Sequence, residues 1–124
     1  MSRRRVVVTG LGIISPVGNT VQEAWDSIIA GRSGIGRITR FDASAFTAQI
    51  AGEVKGFDIA AYLSPKDARR MDTFIHYGLA AGTQAFRDSG IEVTPENAER
   101  IGVNIGSGIG GLPMIEATNE EYLA

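Results

Sequence analysis

Val6, Val7 and Val8 form a β-branched run with no polar alternation, bounded by Arg3 to Arg5 and by Gly10. Such a run predicts a strand buried on both faces, as in a parallel sheet covered by helices. A loop from Gly10 to Gly18 follows, and Thr20-Val-Gln-Glu23 then has the form of a capping box. Behind it, Val21, Ala24, Trp25, Ile28 and Ile29 repeat at helical spacing until Gly31, which predicts an amphipathic helix. Residues 31–47 show no period and read as a surface loop, and Ala48 to Val54 reads as a strand. Ser64-Pro65-Lys66-Asp67 is a strong helix start, with Ser64 as N-cap, Pro65 at the first helical position and an acid at the third.

From there the pattern predicts one long helix to about Asp88, stopped near Gly90. Met71, Phe74, Ile75, Gly78, Leu79, Gly82, Ala85 and Phe86 share one face at 100° per residue. Lys66, Arg69 and Arg70 sit at i, i+3, i+4 on the other. Gly78 and Gly82 cost roughly 1 kcal/mol each against alanine, so close packing against another backbone is the expected compensation. Thr94-Pro95-Glu96 suggests a short helix, Ile101 starts a strand, and Met114 to Ala124 reads as a helix cut short. The order is β-α-(β)-α-β. A sheet covered on both faces needs more layers than this chain supplies, so the chain reads as incomplete or dependent on a partner.

Composition narrows the functional classes. In 124 residues, 44% are hydrophobic, 21% are charged, and the net charge is −2. The pI is near 5.3, which gives no reason to expect nucleic acid or an anionic membrane as partner. There is no cysteine, hence no disulfide framework, thiol nucleophile or cysteine zinc site. The basic start raises the question of a leader, but Gly10, Gly12 and Pro16 break its apolar run. No segment approaches the ~18 apolar residues of a membrane span, and a cytoplasmic protein is the simple expectation.

The chemical signals are weak one by one. Gly106-x-Gly108-x-x-Gly111 fits G-x-G-x-x-G, which seats a pyrophosphate at a helix N-terminus. Its ribose-binding acid, expected about 20 residues further on, falls past Ala124. Gly10-x-Gly12 is a second partial match. The competing reading is that the glycines let a strand end bend tightly against another backbone. His76 is the single histidine and has no partners for a metal site. No G-x-S-x-G elbow occurs, and no nucleophile, base and orienting group assemble. Lys66, Arg69 and Arg70 form a local basic patch. It reads either as a solvated face or, since the macrodipole disfavours cations in a helix's early turns, as a surface kept for an acidic partner.

Taken together, four stretches carry a specific resemblance: RRVVVTGLGIISPVGN at Arg4 to Asn19, AGRSGI at Ala30 to Ile35, MDTFIHYGLAAGTQA at Met71 to Ala85, and IGVNIGSGIGGL at Ile101 to Leu112. They resemble the β-ketoacyl-(acyl-carrier-protein) synthases, most closely the type II elongating enzymes of bacterial fatty-acid synthesis, over the first third or so of a family member. The resemblance implies an α/β fold of the thiolase-like layered αβαβα type, of which residues 1–124 are an incomplete N-terminal part, paired as a homodimer. It implies a decarboxylative Claisen condensation of acyl groups with malonyl-carrier protein, with no cofactor. The family's cysteine nucleophile, two histidines and lysine would lie beyond Ala124, so the chain alone is expected to be inactive, and His76 matches no catalytic position. Ile109, with Gly108 beside it, matches the gate of the acyl-chain pocket. Lys66, Arg69 and Arg70 match the helix face that receives the acidic, phosphopantetheine-bearing acyl carrier protein. Two other readings share these features: a polyketide ketosynthase or its non-catalytic chain-length partner, and a free-standing carrier-protein binding module.

Overall fold

The computed structural model describes residues 3–124. Met1 and Ser2, which open the basic N-terminal stretch, lie outside the described residues. Among the described residues, four α-helices, α1 (Val21–Ile29), α2 (Pro65–Ala68), α3 (Thr73–Ser89) and α4 (Leu112–Leu123), accompany two short strands, β1 (Ile35–Arg37) and β2 (Ile50–Gly52), and 3-10 turns at Ile59–Ala61 and Ala98–Arg100.

Local signals set several of these boundaries. The Thr20 hydroxyl accepts the Glu23 N–H, and the Glu23 carboxylate accepts the Asn19 N–H at 2.8 Å, so both halves of a capping arrangement hold the start of α1. Ser64 caps α2 by accepting from the Asp67 N–H. Gly90 ends α3 in the left-handed region at φ 64°, which glycine enters without a Cβ penalty.

Other expectations need correction. The helix expected from Ser64 to Asp88 is two helices, because Asp72 takes an extended conformation (φ −75°, ψ 160°) and turns its carboxylate onto the Thr73 N–H as a new N-cap. A short polar side chain that competes for backbone donors can interrupt a helix in this way. Met71 therefore lies outside α3. Residues 31–47 are not all loop: β1 pairs antiparallel with β2, placing Ile35 opposite Gly52 and Arg37 opposite Ile50. The helix expected at Thr94 to Glu96 is displaced to the 3-10 turn at Ala98–Arg100.

The strands expected at Val6–Val8 and from Ile101 carry no ladder among the described residues. A β-branched run becomes a strand only when a neighbour completes its hydrogen bonds. What α3 side chains hold is the loop after Val6–Val8. The Leu11 N–H donates to the Asp88 carboxylate (2.8 Å) and the Ile13 N–H to Gln84 Oε1 (3.2 Å). Gln84 in turn donates to the Asn19 carbonyl and the Tyr62 hydroxyl.

α3 thus organises the chain. The Gly10–Ile13 segment lies so close to it that a Cβ on Gly12 would stand 2.7 Å from the Ala85 nitrogen. Ile105 packs over Gly78 and Gly82, whose added Cβ atoms would meet its side chain at 3.3 and 3.4 Å. The gap left by those glycines is filled by a side chain, not by the backbone the sequence suggested. Ala24, Ala43 and Ala80 are the buried apolar residues among those described, and no large side chain is fully buried. Val6 (90% exposed) and Val103 (87%) stand open. The accessible surface is 10222 Å², against about 6,400 Å² for a compact monomer of this mass. The excess includes the apolar faces that the sequence assigns to covered strands.

Candidate functional site

The glycine loop and the basic turn meet at one residue, Asp72. It precedes α3, the residue is 9% exposed, and its two carboxylate oxygens serve two different helices. Oδ1 accepts from the Thr73 N–H at the start of α3 (2.6 Å), and Oδ2 accepts from the Met114 N–H in the first turn of α4 (3.1 Å). The reason lies in the α4 sequence. Its N-cap is Gly111, which has no side chain to offer, and Pro113 follows within the first turn. The unpaired donors and positive dipole end of a helix N-terminus call for an anion, and here the anion arrives from a distant part of the chain.

This arrangement answers the pyrophosphate question raised by Gly106 to Gly111. In a dinucleotide loop the helix N-terminus receives a phosphate; at α4 a protein carboxylate already occupies that position. The glycines are required only at the end of the loop. Gly110 has φ 84° and lies against the Phe74 ring, and a Cβ on Gly111 would lie 2.7 Å from the Asp72 carboxyl carbon. A Cβ added at Gly106 or Gly108 would meet nothing within 4 Å. Ile109 is 76% exposed on this loop.

Two grooves flank the first turns of α3 and share Phe74 and Ile75. The larger, of about 670 Å³, runs between α3 and α4, with Met114, Ile115 and Tyr122 along it and Arg70, Asp72 and Gly111 at one end. The smaller, of about 390 Å³, lies between Gly78 and Leu79 of α3 and the segment Ile105 to Ser107. Both are mainly apolar. Ile109 lines neither groove, although Gly106 and Gly111 on either side of it do.

Lys66, Arg69 and Arg70 are all exposed, but not as one face of a long helix. Lys66 lies in the four-residue α2, Arg69 is its C-cap, and Arg70 follows, its N–H donating to the Asp67 carbonyl (3.0 Å). The Arg69 Nε donates to the Pro65 carbonyl at 3.1 Å. Arg69 and Arg70 therefore stand beyond a helix C-terminus, where cations are favoured. The dipole objection to them falls away, and with it one reason for requiring an acidic partner. His76 serves the same junction: its Nε2–H donates to the Ala68 carbonyl at 2.9 Å, joining α2 to α3. It is a structural histidine. Nothing in the local sequence announces the reach of Asp72 to α4; the available signal was Asp72-Thr73 ahead of an apolar-periodic stretch, which marks an N-cap.

Residues 3–123 match the family model of the β-ketoacyl synthase N-terminal domain, and the chain belongs to that family. It is 61% identical over 123 residues to the 3-oxoacyl-(acyl-carrier-protein) synthase 2 of Vibrio cholerae, and 50% identical over 123 residues to that of Coxiella burnetii. Each match covers 99% of this chain and 30% of the relative, so the chain spans about a third of the length of the proteins it matches. Among solved structures, the ishigamide ketosynthase/chain length factor overlays with a TM-score of 0.77 at 32% identity, over 98% of this chain and 30% of that one. The fold is accordingly an α/β portion of the thiolase-like ketosynthase fold.

Proposed function

We propose that residues 1–124 are the N-terminal part of a 3-oxoacyl-(acyl-carrier-protein) synthase that condenses acyl groups with malonyl-carrier protein by decarboxylative Claisen chemistry in fatty-acid elongation. The observation that carries this reading is the 61% identity along nearly the whole chain to a synthase of that name. The glycine loop fits it too, since the helix N-terminus that follows it is filled by Asp72 and is not left open for a phosphate. In this reading the cysteine, histidines and lysine of the chemistry belong to the remainder of the protein, which also covers Val6 to Val8 and Val103. The protein is cytoplasmic and homodimeric.

Ile109 and Gly108 form the wall that gates the acyl chain. The open space beside Gly106 and Gly108 lets the loop approach a hydrocarbon chain closely, and the apolar grooves beside α3 are lined by the neighbouring Gly106 and Gly111. Lys66, Arg69 and Arg70 receive the acidic acyl carrier protein, a contact that speeds and orients docking more than it adds affinity. A second reading, a polyketide ketosynthase or its chain-length partner, is favoured by the overlay on the ishigamide protein, but the 32% identity there is below the 61% and 50% to the Vibrio and Coxiella synthase 2 relatives.

The test is condensation by the full-length protein with acyl- and malonyl-carrier protein at several salt concentrations. Changing Lys66 and Arg70 to Glu should raise KM for carrier-bound substrates roughly tenfold at low salt and much less near ~1 M salt, where the screening length falls to ~3 Å. A KM that ignores both the salt and the substitutions would remove the docking assignment. Absence of condensation by the full-length protein would remove the enzymatic one.

A further inference from the structure

Ile109 lies beside the fixed end of its loop. Before it, a Cβ added at Gly106 or Gly108 would meet nothing within 4 Å; after it, one added at Gly110 would touch the Phe74 ring and one at Gly111 would collide with the Asp72 carboxyl group. Both anchors belong to the start of α3: Phe74 is in its first turn and Asp72 is its N-cap. The position of Ile109 is therefore set from its C-terminal side. Asp72 contributes a buried carboxylate whose two oxygens are each committed to a backbone N–H, one on either helix.

We propose that Asp72 is a positioning residue for acyl-chain selection: by tying the first turn of α4 to the start of α3, it fixes Gly110 and Gly111 and with them the side chain of Ile109. This rests on the assignment of Ile109 as the gate in the proposed synthase. A carboxylate suits the task better than a neutral cap. Two helix N-termini point at it, and both of its oxygens act as acceptors only, whereas an amide must turn its NH₂ toward one of the two donors. A mere cap would stabilise the fold without preferring one substrate over another. A positioning residue alters the preference among substrates.

The experiment uses the full-length protein with Asp72→Asn, Phe74→Leu and Ile109→Ala, each assayed with a series of acyl donors from short to long. Asp72→Asn should change the long-to-short ratio of kcat/KM in the same direction as Ile109→Ala, and the Met114 amide should exchange roughly tenfold faster, as expected for loss of one hydrogen bond to a charged group. Phe74→Leu loosens the other anchor and should move the ratio the same way, which keeps the idea testable if Asp72→Asn does not fold. If Ile109→Ala shifts the profile while Asp72→Asn and Phe74→Leu lower all chain lengths in equal proportion, the positioning role is overturned and the gate stands. If Ile109→Ala leaves the profile flat, the gate assignment fails first and the positioning role falls with it. An unchanged Met114 exchange rate in Asp72→Asn would also overturn the proposal.

Discussion

At the scale of single residues, two glycines three positions apart in one motif have opposite surroundings. Gly111 has an ordinary negative φ of −91°, so nothing about its backbone conformation demands glycine. What demands it is the Asp72 carboxyl group, which leaves no room for a methyl group. Gly108 has open space on the same loop. Gly111→Ala should therefore destabilise the full-length protein by about 1–3 kcal/mol, the usual cost of overpacking, while Gly108→Ala should leave stability within about 0.5 kcal/mol, as for an unencumbered surface change. Denaturant unfolding of the two variants checks this, and equal losses would mean that the contact between Asp72 and Gly111 is not the tight one described.

At the scale of elements, the sequence was informative wherever structure is set by neighbours in the chain. The caps at Thr20 and Ser64, the stop at Gly90 and the helix after Gly111 are all local signals, and each is found where the pattern puts it. It was uninformative where a distant group decides. The break before α3 depends on a carboxylate that also serves α4, and β1 is held by groups on β2 and just beyond it. Glu53, directly after β2, accepts from the Thr39 hydroxyl (2.8 Å) and from the Thr39 and Arg40 N–H groups, which pins the chain leaving β1. The Thr39 hydroxyl first, then the Thr39 N–H, hold the Glu53 carboxyl below its ordinary value of 4.5, against a smaller opposing effect of burial. A carboxylate with a depressed folded pKa contributes its full stabilisation above the ordinary value and loses it as pH falls through the lower folded one. Amide exchange at Thr39 and Arg40, corrected for the intrinsic pH dependence, should therefore accelerate on acidification below 4.5 and stay constant above it. Glu53→Gln should exchange faster above pH 4.5 and lose that acid step. An acid step that persists in Glu53→Gln would assign the effect to another group.

At the scale of the whole chain, the same features that make the family assignment secure make these residues a poor independent fold. The family model matches residues 3–123, yet among the described residues the buried apolar set is three alanines, and a surface of 10222 Å² exceeds the compact value by about 3,800 Å². At roughly 25 cal/mol per Å² of apolar area, hydrophobic driving force of the kind that normally offsets chain entropy is left unused on Val6, Val8, Val103, Tyr122 and their neighbours. α3, with 17 residues, its caps and an amphipathic face, is long enough to persist in part, whereas fixed tertiary packing needs those faces covered. Residues 1–124 produced alone should show helical far-ultraviolet circular dichroism, little near-ultraviolet signal from Trp25, dye binding to exposed apolar surface and a broad thermal transition, the marks of a compact state without fixed packing. The full-length protein should melt sharply and bind no such dye. A sharp, concentration-independent melt of the isolated 124 residues would show that α3 and the two segments packed on it suffice as a core. The open faces would then be a surface kept for a partner and not the seat of the protein's remaining layers.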